Sequence, residues 1–141
     1  MEEPIITIPK DYSLIQVWIV KNDIIEIRVV KIRNHKSVAK YISYIKPDDS
    51  EIRDSLHLKR ISYREFKDLE SIDIVIPRIV DIIGSDTIIS MSLDKQMELL
   101  KSKCVSLGIE FNNNIIDGNT LINQIPEDIR GLVSNSLELL T

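Results

Sequence analysis

A chain of 141 residues that is 43% hydrophobic and 28% charged has the composition of one soluble globular domain spanning 1–141, and folding at that size buries roughly 68–70% of the unfolded surface. Its 18 Lys and Arg face 22 Asp and Glu for a formal charge of -4, which excludes a global positive field for nucleic acid or anionic lipid; such binding would need a local patch. The single cysteine excludes an internal disulfide framework, no apolar run reaches the ~20 residues that span a bilayer, and the opening MEEPIITIPK has no signal-peptide hydrophobic region, so a cytoplasmic protein without membrane contact is expected.

Residues 5–8 (IITI) and 13–20 (SLIQVWIV) are short runs rich in β-branched residues, parted by the turn signal Pro9-Lys10-Asp11. Lys21-Asn22-Asp23 makes a tight connection, with Asn22 suited to a left-handed conformation, into a strand from Ile24 to Arg33. Asn34-His35-Lys36 turns the chain into a further strand from Val38 to Lys46, which predicts a four-stranded antiparallel meander. His35 is read as exposed.

From Ser62 the apolar period changes. Phe66, Leu69, Ile72, Val75, Ile76, Ile79, Val80 and Ile83 step by three and four, the spacing of a helical stripe. Pro77 splits this span into two helical pieces, the second starting near Ser71 to Ile74 with Pro77 in its first turn, and Gly84 ends it. A strand follows at 86–91, then a helix over 93–107 capped by Ser92, with Met97, Leu100, Cys104 and Leu107 inward and Gly108 closing it. Cys104 on that stripe reads as a buried small hydrophobe, with a reactive thiol as the alternative. A short strand at 115–117 and a terminal helix from Pro126, with Ile129, Leu132, Val133, Leu137 and Leu140 inward, complete the chain. The order β-β-β-β, then α-β-α-β-α, predicts an α/β fold: an antiparallel meander joined to parallel strands in one mixed sheet with helices packed on it.

Several local patterns fall in that order. Ile24-Ile-Glu-Ile-Arg-Val-Val-Lys-Ile32 is a strand of the type I-I-E-I-x-x-V-x-I, Tyr41-Ile-Ser-Tyr-Ile-Lys-Pro47 closes a strand on proline, His57-Leu-Lys-Arg-Ile-Ser-Tyr-Arg-Glu-Phe66 has the form H-x-x-x-I-S-x-x-x-F, and Ser90-Met-Ser-Leu-Asp-Lys-Gln-Met97 is followed by Ile115-Ile-Asp-Gly118. From about Leu14 to Leu121 the chain resembles the DnaQ-like (DEDD) 3′–5′ exonucleases of the ribonuclease H-like superfamily. The resemblance implies a ribonuclease H-like mixed sheet and places Asp94 on the acid of the family's second motif.

Two-metal phosphodiester hydrolysis needs carboxylates around two divalent cations ~3.5–4 Å apart. The family supplies two of them as Asp-x-Glu on its first strand, where residues i and i+2 face one side. Here Tyr12 to Asn22 holds no acid, and the equivalents lie among Gln16, Val17 and Trp18, with Trp18 expected to be buried. Lys21-Asn22-Asp23 replaces the family's longer nucleotide-holding loop, and the third motif, a His or Tyr followed by an acid on a late helix, is not found. Of the acids the family carries, Asp94 alone finds a counterpart, and it also reads as a first-turn acid favoured by the helix dipole. Glu26 reads as a solvent-face strand residue beside Arg28, and His57 as a loop residue or a general base.

The expectation is therefore a catalytically inactive exonuclease-like domain, without catalytic residues or cofactor, that works as a binding module with a protein partner or by self-association. Lys31, Arg33, Lys36 and Lys40 around one hairpin, and Lys59, Arg60 and Arg64, read as a solvated rim or as a modest surface for nucleic-acid phosphates or a partner. The alternatives are a working Mg²⁺- or Mn²⁺-dependent exonuclease built from Asp94, Glu26, Asp23 and Asp117, or a small α/β domain with another role.

Overall fold

The computed structural model describes residues 7–20, 22–46, 69–92 and 94–133. Three antiparallel strands open the fold: β1 (Tyr12–Val20), β2 (Asp23–Arg33) and β3 (Lys36–Tyr44). They are followed by α1 (Ile72–Ile83), β4 (Ile88–Ser90), α2 (Asp94–Ser106), β5 (Ile115–Asp117), a 3₁₀ segment (Gly118–Gln124) and α3 (Glu127–Leu132). The sheet order is β3-β2-β1-β4-β5, with β4 parallel to β1 and β5 parallel to β4. This mixed sheet with helices packed on it is consistent with a ribonuclease H-like arrangement.

Alternation along the strands sends side chains to two different cores. Ile15, Val17, Ile27, Val29 and Ile88 face α1 and α2, where Val75, Ile76, Ile79, Ile83, Met97, Leu100 and Cys104 meet them. Tyr12, Leu14, Val30, Ile32 and Ile89 face the other way, onto Leu121, Ile125, Ile129 and Val133 of the 3₁₀ segment and α3. With both faces covered, β1 and β2 read as near-continuous apolar runs rather than clean alternation.

Among the described residues the meander has three strands, where four were expected. Thr7 and Ile8 lie outside any strand, and Ile5 and Ile6 lie outside the described residues. Ile8 is tied down differently: its side chain is buried and its N–H donates to Gln124 Oε1 at 2.8 Å, so burial rather than strand pairing accounts for its apolar character. The left-handed backbone falls at Asn34 and His35 (φ 52° and 65°), not at Asn22. Two successive positive φ values are what a two-residue hairpin loop requires, and they match the twist of β2 and β3. His35 is exposed, and its N–H donates to Lys10 O.

Ser71 caps α1, accepting from Asp73 N at 3.1 Å, and Gly84 ends it at φ 58°. Pro77 falls in the second turn rather than the first. It is exposed, as is Asp73, so water can serve the carbonyl that proline leaves without a donor. The helical piece expected from Ser62, with His57 and Phe66, lies outside the described residues.

Candidate functional site

The parallel registers Ile15↔Ser90 and Ser90↔Asp117 bring the carboxyl ends of β4 and β5 into line beside Ile15, midway along β1, and strand carboxyl ends are the edge at which open α/β sheets bind ligands. Ser92 fixes the chain there. Its hydroxyl accepts from Val17 N at 2.6 Å and from Gln16 Nε2 at 3.3 Å, and donates to Val17 O at 3.1 Å. The residue expected to cap α2 thus spends its side chain on β1, prolonging the β1–β4 contact beyond the last paired residues.

Asp94 is the first residue of α2 and is exposed. It lines a pocket of about 320 Å³ with Ser90, Ser92, Met97, Glu98, Lys101, Ile115 and Asp117. Met97 and Ile115 belong to the core under α1 and α2, so the pocket opens on that side of the sheet. Neither Gln16 nor Trp18 lines it. Of the four acids considered for an unconventional metal site, Asp94 and Asp117 share this pocket, whereas Asp23 begins β2 opposite Val20 and Glu26 faces elsewhere. Among the described residues no three His, Cys, Asp or Glu side chains stand together so that they could hold a metal ion.

Glu26 is not on a solvent face. In the β1–β2 register it stands opposite Trp18, and Arg28 stands opposite Gln16. Directly opposed residues share a face, so Gln16, Trp18, Glu26 and Arg28 project together on the side of Tyr12, Leu14 and Val30. Glu26 is 1% exposed and Arg28 8%, and Arg28 Nη2 donates to Glu26 Oε1 at 3.3 Å. The alternation that suggested exposure holds, but this face of β2 is covered as well. Trp18 is half-buried. Its Nε1 and Arg28 Nε are enclosed without a hydrogen-bond acceptor, and the β1–β2 register is broken between Trp18 and Ile19.

Lys31 and Arg33, read in the sequence as rim or phosphate contacts, turn inward. Lys31 Nζ donates to Asp86 Oδ2 at 2.5 Å and to Ile82 O at 2.6 Å, placing an ammonium at the carboxyl end of α1, where the helix dipole favours it. Arg33 Nη2 lies 3.0 and 3.1 Å from the two Asp86 oxygens, and Ser13 Oγ donates to Oδ2 at 2.7 Å. Burial pushes the Asp86 carboxyl up, but the bonds from Lys31, Ser13 and Arg33 outweigh it and hold the group below its ordinary value. Asp86 was missed as a partner because nothing local marks it: the contact exists only through the β1–β4 register. Lys36 and Lys40 are exposed on β3, and Lys59, Arg60 and Arg64 lie outside the described residues.

Cys104 is fully buried, and burial raises its thiol above the ordinary value. No described helix is long and apolar enough to cross a membrane.

No family model matches the chain. Over 118 residues it is 24% identical to the DNA polymerase III PolC-type of Caldanaerobacter subterraneus subsp. tengcongensis. The match takes in 84% of this chain but 8% of that polymerase's length. So distant a likeness is compatible with an exonuclease-like domain.

Proposed function

We propose that this chain is an exonuclease-like domain that does not cleave phosphodiesters and acts by binding. One observation carries the reading. The first-strand stretch where the resemblance reserves places for paired carboxylates holds no acid among Gln16, Val17 and Trp18, and the enclosed Glu26–Arg28 pair stands opposite Trp18 and Gln16. A guanidinium in that place supplies positive charge from the protein itself and repels divalent cations, while an amide and an indole offer them no anionic oxygen. The distant likeness to a polymerase III supports the ancestry, not the loss of chemistry.

The test is incubation of the purified protein with Mg²⁺ or Mn²⁺ and end-labelled single strands of DNA and RNA. No nucleotide release is expected, and calorimetry with Mn²⁺ should show no binding tighter than millimolar. Release of nucleotides that Asp94→Asn abolishes would overturn the proposal. It would favour a second reading, a working nuclease centred on the pocket that Asp94 shares with Asp117.

A further inference from the structure

We infer that the face of β3 carrying Lys40, Ile42 and Tyr44 is a docking surface for an amphipathic helix of another protein, with acids at both ends of its apolar stripe. The strand registers lay out this face. Lys40 stands opposite Val30, Ile42 opposite Arg28 and Tyr44 opposite Glu26, so all three project on the side of Leu14 and Val30. There the 3₁₀ segment and α3 close a core over β1, β2 and β4, and among the described residues no side chain of β3 belongs to it. The cover stops one strand short of the sheet's edge. Four of the six large apolar side chains exposed among the described residues lie on β3, and two of them, Ile42 at 37% and Tyr44 at 40%, are neighbours on this face. Apolar surface gathered in this way marks an interaction site, whereas single exposed residues do not.

The partner comes onto the face and not along the edge. Lys46 N–H already donates to Glu70 O beside the Ile45–Glu70 bridge, and Val38 is left unpaired where the β2–β3 register shifts, so the edge is occupied at one end and irregular at the other. A helix is the element that covers a sheet face, as α3 does next to this strip. Charge selects which helix. Lys40 and Lys46 are exposed at the two ends of the Ile42–Tyr44 pair, Lys46 by the alternation that sends Ile45 into the opposite core. Residues 36–46 contain no Asp or Glu, although the whole chain has a formal charge of -4. Along a strand the two lysines stand ~20 Å apart. A helix lying on the strand spans that distance in about 13 residues, so its acids belong in the first and last turns with apolar residues between them. A second copy would set its own lysines against these, whereas an acidic helix complements them.

The full-length protein is titrated with an acetylated and amidated helical peptide of about 15 residues, leucines on one stripe and glutamates in its first and last turns, and followed by anisotropy and amide shifts. Saturable binding below about 1 mM is expected, with shifts concentrated at 40–46. The same peptide with lysine in place of glutamate should bind worse, and a scrambled peptide of equal composition should not bind. Ile42→Ser with Tyr44→Ser, changes at exposed side chains, should weaken binding about tenfold or more. Lys40→Glu should weaken it about fivefold and favour the lysine peptide. Tyr41→Ser, on the opposite face, should leave it unchanged, and thermal melts check that each variant is folded. Absence of saturable binding, equal binding of the scrambled peptide, shifts confined to other elements, an equal loss in Tyr41→Ser, or unchanged affinity in both face variants would overturn the inference. So would concentration-dependent dimers that the Ile42 and Tyr44 changes dissolve, since a second copy would then hold the face. The inference extends the proposed binding role, and the nuclease assay reads other residues, so failure of either leaves the other standing.

Discussion

Replacing Asp86 by Asn tests whether the meander is fastened to the parallel half of the sheet by charge as well as by ladder bonds. The carboxylate receives Ser13, Lys31 and Arg33, and its side chain is 15% exposed, against 14% for Lys31 and 39% for Arg33. A hydrogen bond to a charged group contributes about 1.5–3 kcal/mol where solvent is largely excluded. The Arg33 arm is exposed enough to add only ~0–1 kcal/mol. Lys31 keeps its bond to Ile82 O, so its ammonium is not stranded, and Asn still offers Ser13 an acceptor. The net cost of Asp86→Asn should be about 2 kcal/mol, a fall in Tm of roughly 6–10 °C for a domain of this size. Because the folded-state pKa is depressed, this stability is fully present above the unfolded carboxylate value of ~3.9 and is lost as pH falls through the lower folded value. Urea melts of both proteins at pH 7 and at steps below pH 4 should show a gap that closes with acid. A gap below about 0.5 kcal/mol at pH 7, or one that persists undiminished at low pH, would refute the reasoning.

Three further outcomes are expected. Ser92→Ala leaves the buried Val17 N–H without its acceptor and should cost about 1–3 kcal/mol in denaturant melts, with faster hydrogen exchange at Val17. Gly118→Ala would put a methyl against Met91 Sδ and 2.9 Å from Ser90 O, a backbone atom that cannot swing aside, for a loss of about 1–3 kcal/mol by thermal melting. Cys104, buried and with its thiol pushed up by that burial, should resist a disulfide reagent at pH 8 in the native protein and react fully in urea.

The elements legible in the sequence were those whose local pattern and tertiary use agree. The stripe Val75, Ile76, Ile79, Ile83 gave α1, and Ser71 and Gly84 bounded it; Met97, Leu100 and Cys104 gave α2. Strand type was also legible for β1 to β5, because Ile-rich runs lie between turn residues. Facing was not. Glu26 follows a strand period that ordinarily alternates core and solvent, but β2 is covered on both sides, and only the register reveals which residues stand over it. The basic hairpin misled for a related reason: a lysine in a strand sequence gives no sign of whether an acid 55 residues later will reach it, as Asp86 reaches Lys31.

The Glu26–Arg28 pair bears directly on what this sheet can still do. A buried ion pair is rarely worth more than the apolar residues that could replace it, since removing both charges from water costs several kcal/mol. Here the 3.3 Å contact is long for a charge-assisted bond, and among the described residues Arg28 Nε finds no acceptor. Stability alone would therefore favour Val or Ile at both places, as at Val30 and Ile32 further along the same face. Arg28→Met removes one partner of the buried Glu26 and should destabilise the fold by up to about 3 kcal/mol, whereas Arg28→Met with Glu26→Leu should recover part of that loss. If the double variant were as unstable as the single one, the pair would be a requirement of the fold itself.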